Sequence, residues 1–397
     1  MKIFIIIVIL ITIAVFGHRR SFLKLPFPAK HIYLTGTEYI VVGFLLGKHG
    51  LNILNDGVLI QLHPLLALTL GWVGLLFGLQ MDTQILRKFP RYYINLTFAQ
   101  TVTTFLLMIA PMFFILQNHF HSSFAPLLIA ASALAASASC TGQSSLALIQ
   151  KEFQLQRSRT MGLLRFVSGI DGVFAIFICC FISSLSSEAR LFDIPVPSWM
   201  QWFIISIFIG ILLGLLLDIL VRQNVTQSEL MVFCVGFVVF AGGLAFYSRT
   251  SILFVTMLMG IVVSNRHDAE ALASLMNVLE KPAFIILLIF AGALIPLAGL
   301  NLIEIIVGYA IFRIFSKFIG GWIGKKISSA PRRIPSHIGL GLLSQGGVSI
   351  AIAMSYYWHK PGPLADAVLI TIVIAQIISE LMSPHFVTAI IDASGER

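Results

Sequence analysis

The chain has 397 residues, is 58% hydrophobic and only 11% charged, and has a mean hydropathy of +0.95. Soluble domains carry roughly 25% charged residues, so this chain lacks the polar surface to fold in water, and a lipid bilayer is its main solvent. The formal charge of +9 does not point to nucleic acid, because the basic residues sit in short loops between apolar runs, where they set topology.

Apolar runs of roughly 17–25 residues between polar breaks mark membrane spans, and about thirteen are predicted in one transmembrane domain, 1–397. The first, near 3–17, could be mistaken for a signal peptide. It lacks a small-x-small cleavage site, and its stronger basic cluster, His18 to Arg20, follows the apolar run. That predicts a retained helix with its N-terminus outside. The second span, 32–47, holds Thr35, Thr37 and Glu38. The third is 62–81 and the fourth 92–116. The fifth, 124–150, is followed by the sixth, 161–185, and, after the polar linker Ser186 to Trp199, by the seventh, 202–221. The eighth and ninth are 230–247 and 252–265. The polar segment Asn265 to Lys281 predicts a short amphipathic helix on the membrane surface. The last four spans are 282–300, 301–324, 337–358 and 366–391.

The charges agree with this count. With an external N-terminus, only Lys2, Lys48, Arg190, Arg249 and Lys360 fall outside, and Arg165, Arg313 and Lys317 fall within spans. The rest of the 26 Lys and Arg lie in cytoplasmic loops or at the C-terminus. The C-terminus is therefore expected in the cytoplasm of a multi-pass protein of the cell membrane. The four cysteines lie in apolar runs without metal-ligand spacing and read as unpaired small apolar residues.

Two spans are broken. The fifth carries Ser137-Ala-Ser-Cys-Thr-Gly-Gln-Ser-Ser145 at mid-membrane, and the twelfth carries Leu343-Ser-Gln-Gly-Gly347. Irregular backbone at that depth is tolerated only where it lines a cavity or is covered by protein. Paired interrupted helices in corresponding halves point to a secondary transporter built from inverted repeats. The bland alternative is that Gly and Ser only let helices pack closely.

Each break neighbours a helix with a buried charge. Asp171 lies near the middle of the sixth span, where a carboxylate costs several kcal/mol unless it is protonated, paired or hydrated. Lys317 lies on the eleventh. One acid and one base in opposed halves invite a pair that a proton or a cation could break; a static ion pair, or a lysine snorkelling to the interface, is the plainer alternative. Thr141, Ser139 and Gln345, with Ser344, could offer oxygens. Gly142, Gly346 and Gly347 would open the broken backbone. Glu38, Glu304 and Asp218 sit toward helix ends and read as interfacial anchors. Glu380 is deeper and could stabilise the assembly. Arg165 is expected to reach the cytoplasmic interface, and His119 and His121 to lie on the surface.

The order of SALAASASCTGQSSLALIQKEF, RTMGLLRFVSGIDGVFAIF, LEKPAFIILLIFAGALIPLAGL, VGYAIFRIFSKFIGGWIGKKI, HIGLGLLSQGGVSIAIA and ISELMSPHFVTAII resembles the monovalent cation:proton antiporter superfamily. The likeness is to its sodium/hydrogen exchanger transmembrane domain, in the bacterial branch with potassium-efflux relatives, and it spans most of the chain after about Leu34. The resemblance implies an all-α polytopic fold of thirteen helices with two crossed broken helices. It implies a scaffold part, 1–91 and 226–300, a core transport part, 92–186 and 301–392, and a linker helix, 200–222. It implies a homodimer. It places the essential carboxylate on the sixth span and its basic partner on the eleventh, which are Asp171 and Lys317 here. Two departures stand out. Family members commonly carry Asp-Asp or Asn-Asp on the sixth span, whereas Ile170-Asp-Gly-Val173 leaves open whether Asp171 or Gly172 holds the essential position. The Thr-Asp-Pro of the fifth span is Cys140-Thr-Gly142. Unlike many potassium-efflux relatives, no soluble nucleotide-binding domain is expected after Arg397.

The expected function is exchange of a monovalent cation, Na⁺ or K⁺, for protons by alternating access. The alternatives are a transport-deficient membrane sensor or scaffold of the same fold, and a channel-like cation uniporter. No enzyme, cofactor or metal beyond the transported cation is expected, since no His-rich, Ser/His or metal-ligand cluster stands in the apolar spans.

Overall fold

The computed structural model describes residues 6–12, 35–185, 196–222, 226–248, 250–266, 269–296 and 302–396. These residues are all-helical, and a single isolated bridge, Gly47 to Leu54, is the sole β-type pairing among them. Helices are numbered here from Glu38: α1 Glu38–Leu46, α2 Asp56–Gln61, α3 His63–Leu79, α4 Thr83–Leu86, α5 Arg91–His119, α6 Phe124–Ser139, α7 Gln143–Glu152, α8 Arg159–Leu185, α9 Ser198–Val221, α10 Gln227–Tyr247, α11 Ile252–Ser264, α12 Ala269–Leu294 and α13 Ile303–Ser328. A 3₁₀ turn, Ile338–Leu342, precedes α14 Gly347–His359 and α15 Pro363–Ser394.

From the second onward, every expected span has a helix at its place. The first is seen only as helix over 6–12, and most of its run, like the linker 186–195, lies outside the described residues. By length and composition, α5, α6 taken with α7, α8, α9, α10 and α15 are each long and apolar enough to cross a bilayer. Helix α13 carries Glu304, Arg313 and Lys317 along its length, which keeps it from reading as a plain apolar span. One expectation is corrected. Asn265 to Lys281 is not a separate surface helix: α12 runs unbroken from Ala269 to Leu294 through Pro282. A proline costs one backbone hydrogen bond in a helix, and the apolar turns after it, AFIILLIFAGAL, continue the helix.

The chain forms two compact units. The first contains Tyr39–Lys88 and Ile176–Leu294, the second Phe89–Ala175 and Ile295–Arg397. In the first unit, α3 packs along α11, α11 along α9, and α12 and α10 against α3. Its core gathers Trp72, Leu75, Leu213, Val238, Val255 and Met259. The Trp72 indole donates to the Met276 carbonyl at 3.3 Å, which satisfies the one polar atom of a buried ring.

In the second unit, α13 packs along α5. A Cβ on Gly320 would stand 2.9 Å from the Gln100 carbonyl oxygen, so the two backbones meet where only glycine fits, as membrane helices do with small residues. α6, α13, α14 and the 3₁₀ turn all pack on α15. That packing surrounds both chain breaks with protein, so their irregular backbone is not left to lipid.

Candidate ion site

The first break is short. Helix α6 ends at Ser139, Cys140 turns extended, and α7 begins after Gly142. The second break runs from the end of the 3₁₀ turn at Leu342 to Gly346, where α14 begins. The two touch. The Gly142 N–H donates to the Ser344 carbonyl at 3.1 Å, and the Ser344 hydroxyl donates to the Gly142 carbonyl at 3.3 Å. A Cβ on Gly346 would stand 2.8 Å from the Gly142 Cα, and one on Gly142 would stand 2.9 Å from the Gln345 carbonyl oxygen. The crossing therefore exists only because both positions are glycine.

Three charged side chains converge on this crossing. Asp171, wholly buried in α8, accepts from the Thr141 N–H at 3.2 Å with one oxygen and from the Thr141 hydroxyl at 2.5 Å with the other. Lys317 Nζ lies 3.8 Å from that second oxygen. It donates to the Ser139 carbonyl at 2.7 Å and to the Thr141 hydroxyl at 3.1 Å. One residue of the broken backbone thus holds the acid and the base together. Gly172 is also buried, and the carboxylate that meets Lys317 is that of its neighbour Asp171.

Arg313, one turn before Lys317 on α13, is the residue that sequence reasoning passed over. It is 2% exposed. A guanidinium has five N–H donors, and Arg313 directs all of them inward. Nε reaches the Ala138 carbonyl. Nη2 reaches the Cys140 and Ser344 carbonyls. Nη1 reaches the Leu343 carbonyl and the Ser379 hydroxyl. Four of the five acceptors are main-chain oxygens freed by the two breaks. A buried carbonyl without a donor costs about 1–3 kcal/mol, so Arg313 is what makes a double break affordable at this depth. The signal in the sequence was the spacing: residues four apart on a helix share a face, so Arg313 and Lys317 had to point the same way.

Two of the expected oxygens lie elsewhere. The Ser139 hydroxyl donates back to Ala136 O in its own helix at 2.7 Å, and only its carbonyl meets Lys317. Gln345 makes no hydrogen bond to Asp171. Its amide nitrogen donates to Tyr309 Oη at 2.7 Å and reaches Ser137, while its Oε1 is buried without a partner. Gly347 is the first residue of α14. Glu304 faces His119 at 3.4 Å, and Arg165 donates to Gln150 at the exposed surface. Among the described residues no group of three or more His, Cys, Asp or Glu could hold a resident metal.

The fold is similar to that of the sodium proton antiporter MjNhaP1 of Methanocaldococcus jannaschii at pH 8. The TM-score is 0.66 at 16% identity, over 98% of this chain and 97% of that one. No curated protein matches in sequence. A family model described as "Sodium/hydrogen exchanger, transmembrane" matches residues 5–390, and that range takes in both breaks, Asp171, Arg313 and Lys317. The chain is a multi-pass membrane protein that belongs to the sodium/hydrogen exchanger transmembrane family, within the monovalent cation:proton antiporter superfamily.

Proposed function

We propose that this chain exchanges Na⁺ or K⁺ for protons by alternating access, with Asp171 as the carboxylate that binds either ion. The observation that carries this reading is the Asp171–Lys317 distance of 3.8 Å across the Thr141 hydroxyl. The pair is close enough for Lys317 to neutralise an empty Asp171. It is longer than a tight charge-assisted bond of about 2.7–2.9 Å, so a proton or a cation can replace the lysine without breaking a committed contact.

The cation's remaining ligands would be the Thr141 hydroxyl and nearby broken-backbone carbonyls such as that of Ser139. Half-helix ends serve ions in this way in broken-helix transporters. In this reading the core transport part, 92–186 and 301–392, carries the crossing, the scaffold part, 1–91 and 226–300, provides the homodimer surface, and 200–222 links them. The protein lies in the cell membrane with its N-terminus outside and its C-terminus in the cytoplasm. Exchange follows from exclusion: if only an occupied core crosses the membrane, one ion's gradient drives the other.

The test is proton movement into or out of proteoliposomes when a Na⁺ or K⁺ gradient is imposed at fixed voltage. Coupled proton movement supports exchange. Cation flux without proton movement makes the protein a uniporter, and no flux of either makes it a sensor or scaffold.

A further inference from the structure

We propose that Glu380 is a second proton-binding site of the second unit, distinct from Asp171 and built to be stable both with and without its proton. It rests on the antiport reading only for its consequence, a second proton-linked step in the cycle.

Glu380 is 1% exposed on α15, a helix long and apolar enough to cross the bilayer. A carboxyl at such a place is expensive unless it has work or partners. Its ionised form has partners at one oxygen, while Oε2 is buried without a hydrogen bond. The Ser145 hydroxyl is hydrogen-bonded to it, and Ser145 is the third residue of α7. The carboxylate thus sits at the N-terminal end of a half-helix, where the helix dipole favours negative charge. Arg313 acts on it from α13 while holding the adjacent Ser379 hydroxyl at 2.9 Å.

The protonated form needs something different, an acceptor for its O–H. One turn earlier on the same face stands Gln376, 3% exposed, whose buried Oε1 has no donor. Ser383, just under one turn later and fully buried, has an unpartnered hydroxyl. Native interiors leave few polar atoms unpaired, and two on the turns flanking one buried acid mark where a proton's hydrogen bond would go. Partners prepared for each protonation state are what a group that titrates in place requires.

The neighbouring elements add little competing charge. On α13 Arg313 acts on Glu380, and Tyr309 and Lys317 stand one turn to either side of that arginine. α6 and the 3₁₀ turn have no titratable side chain. On α14 the titratable groups, Tyr356, Tyr357 and His359, are confined to the last turn, and on α7 Lys151 and Glu152 lie at the end opposite Ser145. With Asp171, Glu380, Arg313 and Lys317 all ionised, these four charges cancel. Each proton taken up by Glu380 then adds one positive charge to the core, and the cycle feels two protonations rather than one.

The test is infrared difference spectroscopy of the full chain in lipid as pH is raised, following the protonated-carboxyl bands. Besides any bands from Glu38 and Glu280, wild type should lose two buried carboxyl bands that belong to Asp171 and Glu380. Glu380→Gln should lack one of them, Asp171→Asn the other, and Glu380→Asp should keep a shifted form of its band. A Glu380→Gln spectrum that retains both bands overturns the proposal. Should that variant fail to fold, Gln376→Leu serves: removing the acceptor of the protonated form should weaken proton binding at Glu380 about fivefold. A band that titrates where it does in wild type overturns the proposal equally. The bands report proton binding without ion movement, so loss of the antiport reading in proteoliposomes leaves this measurement standing, and the reverse holds too.

Discussion

Asp171 and Lys317 share one hydroxyl: Thr141 Oγ1 donates to the carboxylate and accepts from the ammonium at 3.1 Å. The acid is on α8, the base on α13 and the hydroxyl in the break between α6 and α7. Neither charge can change its occupancy without the broken segment sensing it.

The shared hydroxyl makes Thr141 testable by itself. Thr141→Ala removes hydrogen bonds to two charged groups, each worth about 1.5–3 kcal/mol, and should cut cation-driven exchange about tenfold or more. Thr141→Ser keeps the oxygen and should retain most activity. Initial rates in proteoliposomes at matched protein density measure both; equal losses in the two variants would assign Thr141 to packing instead.

Arg313 should tolerate no replacement. Lysine keeps the charge but has three donors in place of five, so at least two of the acceptors at the breaks lose their partner, at about 1–3 kcal/mol each. Arg313→Lys should lower the thermal unfolding midpoint in detergent and reduce exchange strongly. Arg313→Ala should do more of both, since it also leaves the buried acids short of a positive charge. A midpoint unchanged in Arg313→Lys would refute the clamp.

Gly142 and Gly346 meet backbone to backbone. Alanine at either position must push the breaks apart by several tenths of an ångström, and overpacking of this kind costs about 1–3 kcal/mol. Gly142→Ala should impair exchange with little loss of membrane insertion, read by comparing transport rate with the yield of monodisperse protein. Wild-type rates in the alanine variant would contradict a tight crossing.

Much of this was legible from residue order. The spans follow from apolar length, and the breaks follow from Gly and small polar residues where a helix should be dry. What escaped has physical causes. Asn265 to Lys281 looked like a separate surface helix because its charges set it apart from the apolar run of α12, although the backbone can stay helical through Pro282. Serine in a helix can bond its own backbone, and Ser139 does so with Ala136, so its side-chain oxygen was assigned where its carbonyl stands. Gln345 turns to Tyr309, a direction that linear order does not encode. Arg313 was counted as a span charge, but its acceptors come from three segments that only the fold brings together.

The last described residue, Glu396, is tied to the start of α8. Glu396 accepts from the Ser158 hydroxyl at 2.7 Å and the Thr160 N–H at 2.9 Å, capping the start of the helix that carries Asp171. Burial alone would raise its pKa, but these hydrogen bonds win and hold it below the usual carboxylate range. A depressed folded value means that the cap's contribution is present above the unfolded pKa and is lost as pH falls through the folded one. Protection of the amides at 158–162 from hydrogen exchange, taken relative to the intrinsic rate at each pH, should therefore fall as pH drops below the ordinary carboxylate range, and Glu396→Gln should show weaker protection already at neutral pH. Protection independent of both changes would remove the cap from the account.

The central claim is that one carboxylate is contested by cation and proton. It is tested most directly by the apparent cation affinity of exchange in proteoliposomes, measured against pH in wild type and Asp171→Asn. Competition at Asp171 predicts that the half-saturating cation concentration of wild type rises toward tenfold for each unit of acidification on the acid side, and that Asp171→Asn shows no coupled exchange. Exchange that persists unchanged in Asp171→Asn, with the same dependence on pH, would contradict it.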